Sequence, residues 1–259
     1  MSMLAIAYEH AGTTGGVAEK PAPADVGGFV LYLPELHKVF ANAGGTYVEL
    51  DTNADHHYDA TGLIRVHIKG VSPQLGPSDS VLEHPSYRVP SDNPRTQTTG
   101  VGVSWQDKAR NWRRMGELGA EQIKSVKVET VAATPQRVEF KVIYEGDLFG
   151  VSRITEHYVL TEGRVELSTE LLGYEGPVRM VWPMLADDGR MQNSIAAEGE
   201  VVSVSQPGAK LGQSFEAKGA QSVVVENERY PNHNGCARLG VAEYPRGGKA
   251  TLVIRSKTF

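Results

Sequence analysis

Alternation is the feature that most limits what this chain can fold into. Val138-Glu139-Phe140-Lys141-Val142-Ile143-Tyr144 and Val165-Glu166-Leu167-Ser168-Thr169-Glu170-Leu171 repeat apolar residues at every second position. Successive side chains of a strand point to opposite faces, so this period marks strands with one buried face. Ile64, Val66 and Ile68 alternate with Arg65, His67 and Lys69 in the same way. Residues 38–41 and 46–50 flank Asn42-Ala43-Gly44-Gly45, a hairpin signature. Further strands are expected at 125–131, 152–160, 178–182, 199–205, 222–226, 237–243 and 250–255. Turn signals at Glu145-Gly146-Asp147, Thr161-Glu162-Gly163, Asp187-Asp188-Gly189 and Arg246-Gly247-Gly248 separate them. Many short strands with hairpin-length connections predict an all-β fold. The expectation is a large antiparallel β-sandwich, supersandwich-like, over residues 28–259.

Residues 1–27 read differently. Leu4, Ala7 and Tyr8 share one side of a short helical segment, and Gly12-Thr13-Thr14-Gly15-Gly16 with Pro21-Ala22-Pro23-Ala24-Asp25 make a linker. This resembles the tail of a preceding helical region. The segment 71–101 carries five prolines, Pro73, Pro77, Pro85, Pro90 and Pro94. It is too long for a plain connection, and reads as a functional flap or a poorly ordered stretch.

A net charge of -5 argues against nucleic acid as the default partner, since neutralising phosphates needs a basic face. Nothing approaches the ~20 apolar residues of a membrane span, so no membrane partner is expected. The first ten residues lack the basic start and apolar run of a secretory signal. The lone Cys236 cannot close an intrachain disulfide and reads as a small buried apolar residue. No G-x-S-x-G, Walker loop, dinucleotide fingerprint or C-x-x-C is present, so acyl transfer, nucleotide binding and dithiol redox chemistry lack support.

Chemistry concentrates in Asp55-His56-His57-Tyr58-Asp59-Ala60-Thr61-Gly62-Leu63-Ile64-Arg65-Val66-His67. His56, His57 and Tyr58 supply a general base and acid, and His57, Asp59 and His67 offer ligands suited to zinc. Asn53 and Arg65 add partners for a substrate carboxylate. His57 and His67 share a face only if the strand runs unbroken past Gly62, where a bend is expected. The competing reading is a solvated polar turn. Asp79 or His84 would complete a metal shell begun by His57, although the Ser72–Ser80 stretch fits a surface loop equally well.

In Trp105-Gln106-Asp107-Lys108-Ala109-Arg110-Asn111-Trp112-Arg113-Arg114, exposed indoles would stack on sugar faces. Arg110, Arg113 and Arg114 would pair with uronate or sulfate. The seven-residue spacing of Trp105 and Trp112 also fits one core-facing side of a helix. Asn232 and His233, between Pro231 and Gly235, read first as a turn and second as sugar contacts.

The run from His57 to Gly70 resembles the opening strand of the C-terminal β-sandwich in heparinase II/III-like polysaccharide lyases. There an H-x-H-x-D-type motif leads into an apolar strand ending near a glycine. Arg153-Ile154-Thr155-Glu156-His157-Tyr158-Val159-Leu160 followed by 165–171 is similar to paired strands of that sandwich. The resemblance implies β-elimination on an acidic, uronate-containing polysaccharide or oligosaccharide. It implies an α/α-toroid ahead of the sandwich, which carries the tyrosine acid/base, and a periplasmic or secreted setting. His57 matches the motif histidine that holds a structural zinc, and Asp59 the following aspartate. The first motif histidine aligns with Asp55, or with His56 if one residue is lost. The site expected on these grounds has His56, His57, Tyr58 and Arg65 as catalytic residues. Asn53, Trp105, Arg110 and Arg113 contact substrate, and His57, Asp59 and Asp79 hold zinc. A toroid domain or a second copy of the chain would be the protein partner. Two alternatives stay open. One is a non-catalytic carbohydrate-binding sandwich, which would show an aromatic platform at Trp105 or Trp112. The other is a mutarotase-like sugar isomerase, which needs a histidine and a carboxylate facing each other across a concave sheet.

Overall fold

The computed structural model describes residues 6, 8–10, 21, 26–55, 59–78, 100–232 and 234–259, with backbone alone at residue 232. Among these, helix is confined to residues 6, 8–10 and 26 and to two 3-10 turns, Pro34–Leu36 and Met115–Glu117. Everything else regular is antiparallel strand, as the period-two alternation demands.

Strands β1 (Phe29–Leu33), β2 (Lys38–Ala43), β3 (Thr46–Asp51) and β4 (Gly62–Ile68) form a four-stranded sheet in sequence order. The expected hairpin is β2–β3. Ala43 pairs with Thr46, and Gly44 and Gly45 take φ of 55° and 74° between them. A two-residue turn of this hand needs positive φ at both positions, which glycine adopts without steric cost.

β5 (Gly102–Gln106) and β6 (Trp112–Arg114) form a second hairpin, which corrects the helical reading of the two tryptophans. The Asp107 carboxylate accepts hydrogen bonds from the backbone N–H of Ala109 and Asn111 and from Arg113 Nε, each at 2.9 Å. That aspartate-centred turn satisfies the backbone locally and outcompetes a helix.

β7 (Ile123–Thr134), β8 (Arg137–Leu148), β9 (Val151–Thr161) and β10 (Arg164–Leu171) run as a long meander. The turn expected at 145–147 is strand instead. Glu145 pairs with Arg153 across a register slip, and the chain reverses between Leu148 and Val151. Arg153 holds the Glu145 carboxylate at 2.8 Å from Nε, a cross-strand pair that favours pairing over turning.

The remaining strands are β11 (Val178–Asp187), β12 (Ser194–Glu198), β13 (Val201–Ser205), β14 (Leu211–Ala217), β15 (Ser222–Val225), β16 (Tyr230–Asn232), β17 (Gly235–Tyr244) and β18 (Lys249–Thr258). The eight-stranded sheet runs β12-β13-β14-β18-β10-β9-β8-β7. The six-stranded one runs β15-β17-β11-β5-β6, with β16 paired to β17.

A bridge between Leu63 and Val101 joins the four-stranded sheet to the six-stranded one, so the two share one layer. The eight-stranded sheet is the other layer. β1, β2 and β3 pack on β7, β8 and β9, while β11 packs on β18. Trp182 of β11 stacks on Phe215 of β14 across the interior, ring centroids 5.9 Å apart. Both are fully buried within one continuous core that also takes in Val39, Val48, Leu50, Phe140, Leu167 and Ile254. At roughly 1.5–3 kcal/mol per buried large side chain, that interface dominates stability. Ion pairs such as Arg137–Glu139 within β8 and Arg255–Glu216 between β18 and β14 cover the outer face of the eight-stranded sheet and add little each.

Candidate functional site

The four-stranded sheet buries Val39, Ala41, Val48, Leu50, Val66 and Ile68 on its core face. Register then decides what its other face carries. Lys38 lies opposite Asp51, Phe40 opposite Glu49 and Asn42 opposite Tyr47. Across β3, Tyr47 faces His67 and Glu49 faces Arg65. The pairing slips between Glu49 and Leu50, leaving Ile64 as the extra residue of a bulge. Arg65 and His67 thereby point away from the core as the alternation predicts. Leu63, rather than Ile64, joins Val66 and Ile68 in the core cluster.

The outward face thus carries a stripe of polar chemistry along β2, β3 and β4. At its middle Arg65 Nη1 donates to Glu49 Oε2 at 2.5 Å and Arg65 Nε to the Ser78 carbonyl at 3.3 Å. The Arg65 side chain stays 42% exposed. Next to it the rings of Tyr47 and His67 meet with centroids 5.6 Å apart. Asn42, Tyr47, Glu49, Arg65, His67 and Lys69 line a groove of about 770 Å³, together with Val71 and Pro73. Asn42 is fully buried, and neither polar atom of its amide has a hydrogen-bond partner among the described residues.

Electrostatics fixes the protonation states. Burial, followed by the nearby Glu49, pushes the Tyr47 phenol up to about 12, so it stays protonated. Burial and the neighbouring Arg65 guanidinium push the His67 imidazole below its ordinary 6.5, so it is neutral near pH 7. A neutral imidazole, a protonated phenol and a guanidinium therefore share one groove. Sequence reasoning missed Asn42, Tyr47 and Glu49, because they sit on strands adjacent to the histidine-rich segment rather than in it. Their signal was the polar half of the alternation in β2 and β3.

At the far end of the stripe, Lys38 Nζ reaches Asp51 Oδ2 at 2.7 Å and also pairs with Asp59. Burial, and the carboxyl of Asp59 beside it, push the Asp51 carboxyl well above the ordinary range. Asp51 Oδ1 accepts the backbone N–H of Asn53 at 2.7 Å, and Asn53 Oδ1 is buried without a partner among the described residues. Thr61 locks the approach to β4: its hydroxyl donates to the Leu118 carbonyl at 2.6 Å and accepts the Ala54 N–H at 3.0 Å. Gly62 starts the strand at a φ of 106°, so the run from Asp59 to His67 is broken there.

Of the expected site, Arg65, Asn53 and Asp59 lie along this stripe. His56, His57, Tyr58, Asp79 and His84 lie outside the described residues, as does His233. Trp105 is fully buried in the core and has no surface to offer a sugar; this corrects its role as a substrate contact. Its strand runs through the middle of the sandwich, where the indole fills interior volume. Arg179 lies over the Trp112 ring, 4.1 Å from its centroid, and the indole is half-buried. Arg113 is held by Asp107 at 2.9 Å and stacks over Phe149, and Arg110 is exposed in the turn at a φ of 64°. Among the described residues no group of three or more histidine, cysteine or carboxylate side chains is placed to hold a metal. Asp59 faces an ammonium group rather than an open coordination position. No helix among them is long and apolar enough to cross a membrane.

No protein-family model matches the sequence, and no curated protein matches it. Solved structures do. A heparan sulfate lyase from Pedobacter heparinus superposes with a TM-score of 0.59 at 9% identity, covering 89% of this chain and 37% of that one. The fold is shared with sugar-acting enzymes. A heparinase III gives a TM-score of 0.56 at 12% identity over 95% of this chain and 38% of the other. A 4-alpha-glucanotransferase from Thermococcus litoralis gives 0.51 at 10% identity, over 89% of this chain and 39% of the other. The chain spans less than two fifths of the length of each of these three, and at such identities the likeness is one of fold.

Proposed function

We propose that this chain is the C-terminal β-sandwich part of a heparinase II/III-like polysaccharide lyase, and that it takes part in β-elimination on an acidic, uronate-containing polysaccharide. The observation that carries this reading is the groove in which Arg65, Tyr47, His67 and Asn42 converge. Elimination needs three things: a cation or donor on the uronate carboxylate, a base at C5 and an acid at the glycosidic oxygen. Arg65 is the carboxylate partner, with Asn42 as an added donor. His67, neutral, takes the proton from C5. The electron pair left behind forms the C4–C5 double bond as the C4–O bond breaks, and the Tyr47 phenol protonates the departing oxygen. His56, His57, Tyr58 and Asn53, in the connection from β3 to β4, belong to the same proposal as further catalytic and substrate contacts. A toroid domain or a second copy would supply the opposite wall.

A structural zinc on His57, Asp59 and Asp79 is also proposed. It would have to displace Lys38 from Asp59, so metal analysis of the protein with and without Lys38→Met addresses it directly. The carbohydrate-binding alternative loses Trp105 to the core and is left with a half-buried Trp112 over which Arg179 lies.

The reading is tested by incubating the chain with a panel of uronic-acid polysaccharides and following the absorbance of unsaturated products. Product formation that disappears in Arg65→Ala and in His67→Ala, both folded, supports it. Product formation unchanged by both substitutions removes the groove from the mechanism. No product from any substrate, and no binding of uronate oligosaccharide by calorimetry, overturns it.

A further inference from the structure

Strand β9 places Ile154, Glu156, Tyr158 and Leu160 on the core face, so one carboxyl stands in an apolar row. Glu156 is 0% exposed. Its Oε2 accepts hydrogen bonds from Tyr158 at 2.9 Å and from Tyr144 of β8 at 3.2 Å, while Oε1 has no partner among the described residues. A fully buried acid with one bare oxygen is costly unless something pairs with it. No ion pair joins it to a basic side chain among the described residues.

The groups around it are few. Besides the two tyrosines, its register neighbours are Val142 on β8 and Thr169 on β10, whose buried hydroxyl likewise has no partner among the described residues. On the facing layer Oε1 looks at Gly62: a Cβ built there would lie 3.9 Å from it and 3.3 Å from Met115 Cγ. Beyond them, Asp51 on β3 and Tyr32 on β1 act electrostatically on Tyr144. Glu156 thus lies under the start of β4, behind the Lys38, Asp51 and Asp59 cluster. Met115 Cγ, the Val101 carbonyl and Glu156 Oε1 are the three atoms that a Cβ on Gly62 would meet first.

We propose that Glu156 is a proton-controlled latch beneath the segment that carries Asp59 and leads into Arg65 and His67. With the carboxyl protonated, the Gly62–Met115 seam closes dry over it. When the proton leaves to solvent, the bare carboxylate oxygen draws water through that seam and loosens the seating of residues 59–63. Burial holds the Glu156 acid up at about 7 against its ordinary 4.5, so the closed state keeps a proton that the open, hydrated state gives up. Opening is therefore favoured progressively as pH rises from about 4.5 to about 7, and levels off above. Such a latch needs no substrate and is independent of the lyase chemistry proposed above.

The test is hydrogen–deuterium exchange of backbone amides at 60–64, expressed as protection factors so that the intrinsic pH dependence is removed. Wild type is expected to lose protection there by up to about tenfold per pH unit between pH 5 and 7, and to level off by pH 8. Glu156→Gln, which keeps an acceptor for both tyrosines, is expected to abolish that dependence. Tyr158→Phe removes a bond that favours the carboxylate, so it should move the levelling-off to higher pH and serves where Glu156→Gln does not fold. A flat wild-type profile overturns the proposal. So does an equal slope in Glu156→Gln, or a Tyr158→Phe profile superimposed on wild type.

Discussion

The buried acid also has a global signature, which can be worked from the structure. Glu156 titrates near 7 in the folded protein and near 4.5 when exposed. At about 1.4 kcal/mol per pH unit, the difference is on the order of 3 kcal/mol. The sign follows from proton counting. Below about 4.5 both states hold the proton and the carboxyl is neutral throughout. Between about 4.5 and 7 the unfolded chain has released it while the folded chain has not, so stability falls as pH rises. Above about 7 both are ionised and the loss is complete. Asp51 is raised as well and adds a slope of the same sign. Exposed carboxylates held low by their partners, such as Glu145 beside Arg153, act oppositely and at more acid pH. Glu156→Gln removes only its own share. The variant should match wild type to within about 1 kcal/mol at pH 5 and exceed it by up to about 3 kcal/mol at pH 8, because an uncharged amide replaces a buried carboxylate. Urea unfolding followed by tryptophan fluorescence, with midpoint and slope fitted at both pH values, measures this. A variant less stable than wild type by the same amount at pH 5 and pH 8 would refute the reasoning, since the carboxyl would then act only as a hydrogen-bond acceptor.

Other expectations follow from single contacts. A Cβ on Gly240 would lie 2.2 Å from Trp182, an indole fixed by its stack on Phe215, so Gly240→Ala should cost about 1–3 kcal/mol in urea unfolding. Lys38→Met leaves Asp51 and Asp59 without their shared cation and should destabilise by roughly 3 kcal/mol near pH 8 in urea unfolding, a loss that shrinks as pH falls and the Asp51 carboxyl, raised by burial, takes up its proton. Asp107→Ala removes the acceptor that organises the β5–β6 turn, and should raise exchange at 108–111 while leaving amides of β8 and β9 unchanged.

Much of the sandwich was legible because its core-facing strands alternate cleanly. β8 and β10 show this, with Val138, Phe140 and Val142 inside and Glu139 and Lys141 outside. Strands failed to register where side chains on both faces are buried or where the segment is short. β5 buries four of its five residues in a row, and β6 is three residues long, so neither shows a period. Their two tryptophans then mimicked a helical repeat that the Asp107 turn forbids. The site was half visible. Arg65 and His67 declared themselves through β4, but the partners that complete the groove come from β2 and β3, and only strand register brings Asn42, Tyr47 and Glu49 beside them. Glu156 was present as a carboxyl in the apolar register of β9, a break in pattern that marks a buried polar group.

The central claim is that the outward face of the four-stranded sheet receives an acidic sugar chain. Titrating the isotope-labelled protein with a uronate oligosaccharide and mapping backbone amide shifts tests it most directly. Shifts centred on residues 42, 47, 49, 65 and 67 are predicted, weakened at least tenfold in apparent affinity by Arg65→Ala. Shifts centred instead on residues 139, 157 and 170 of the eight-stranded sheet, or none at saturating ligand, would contradict it.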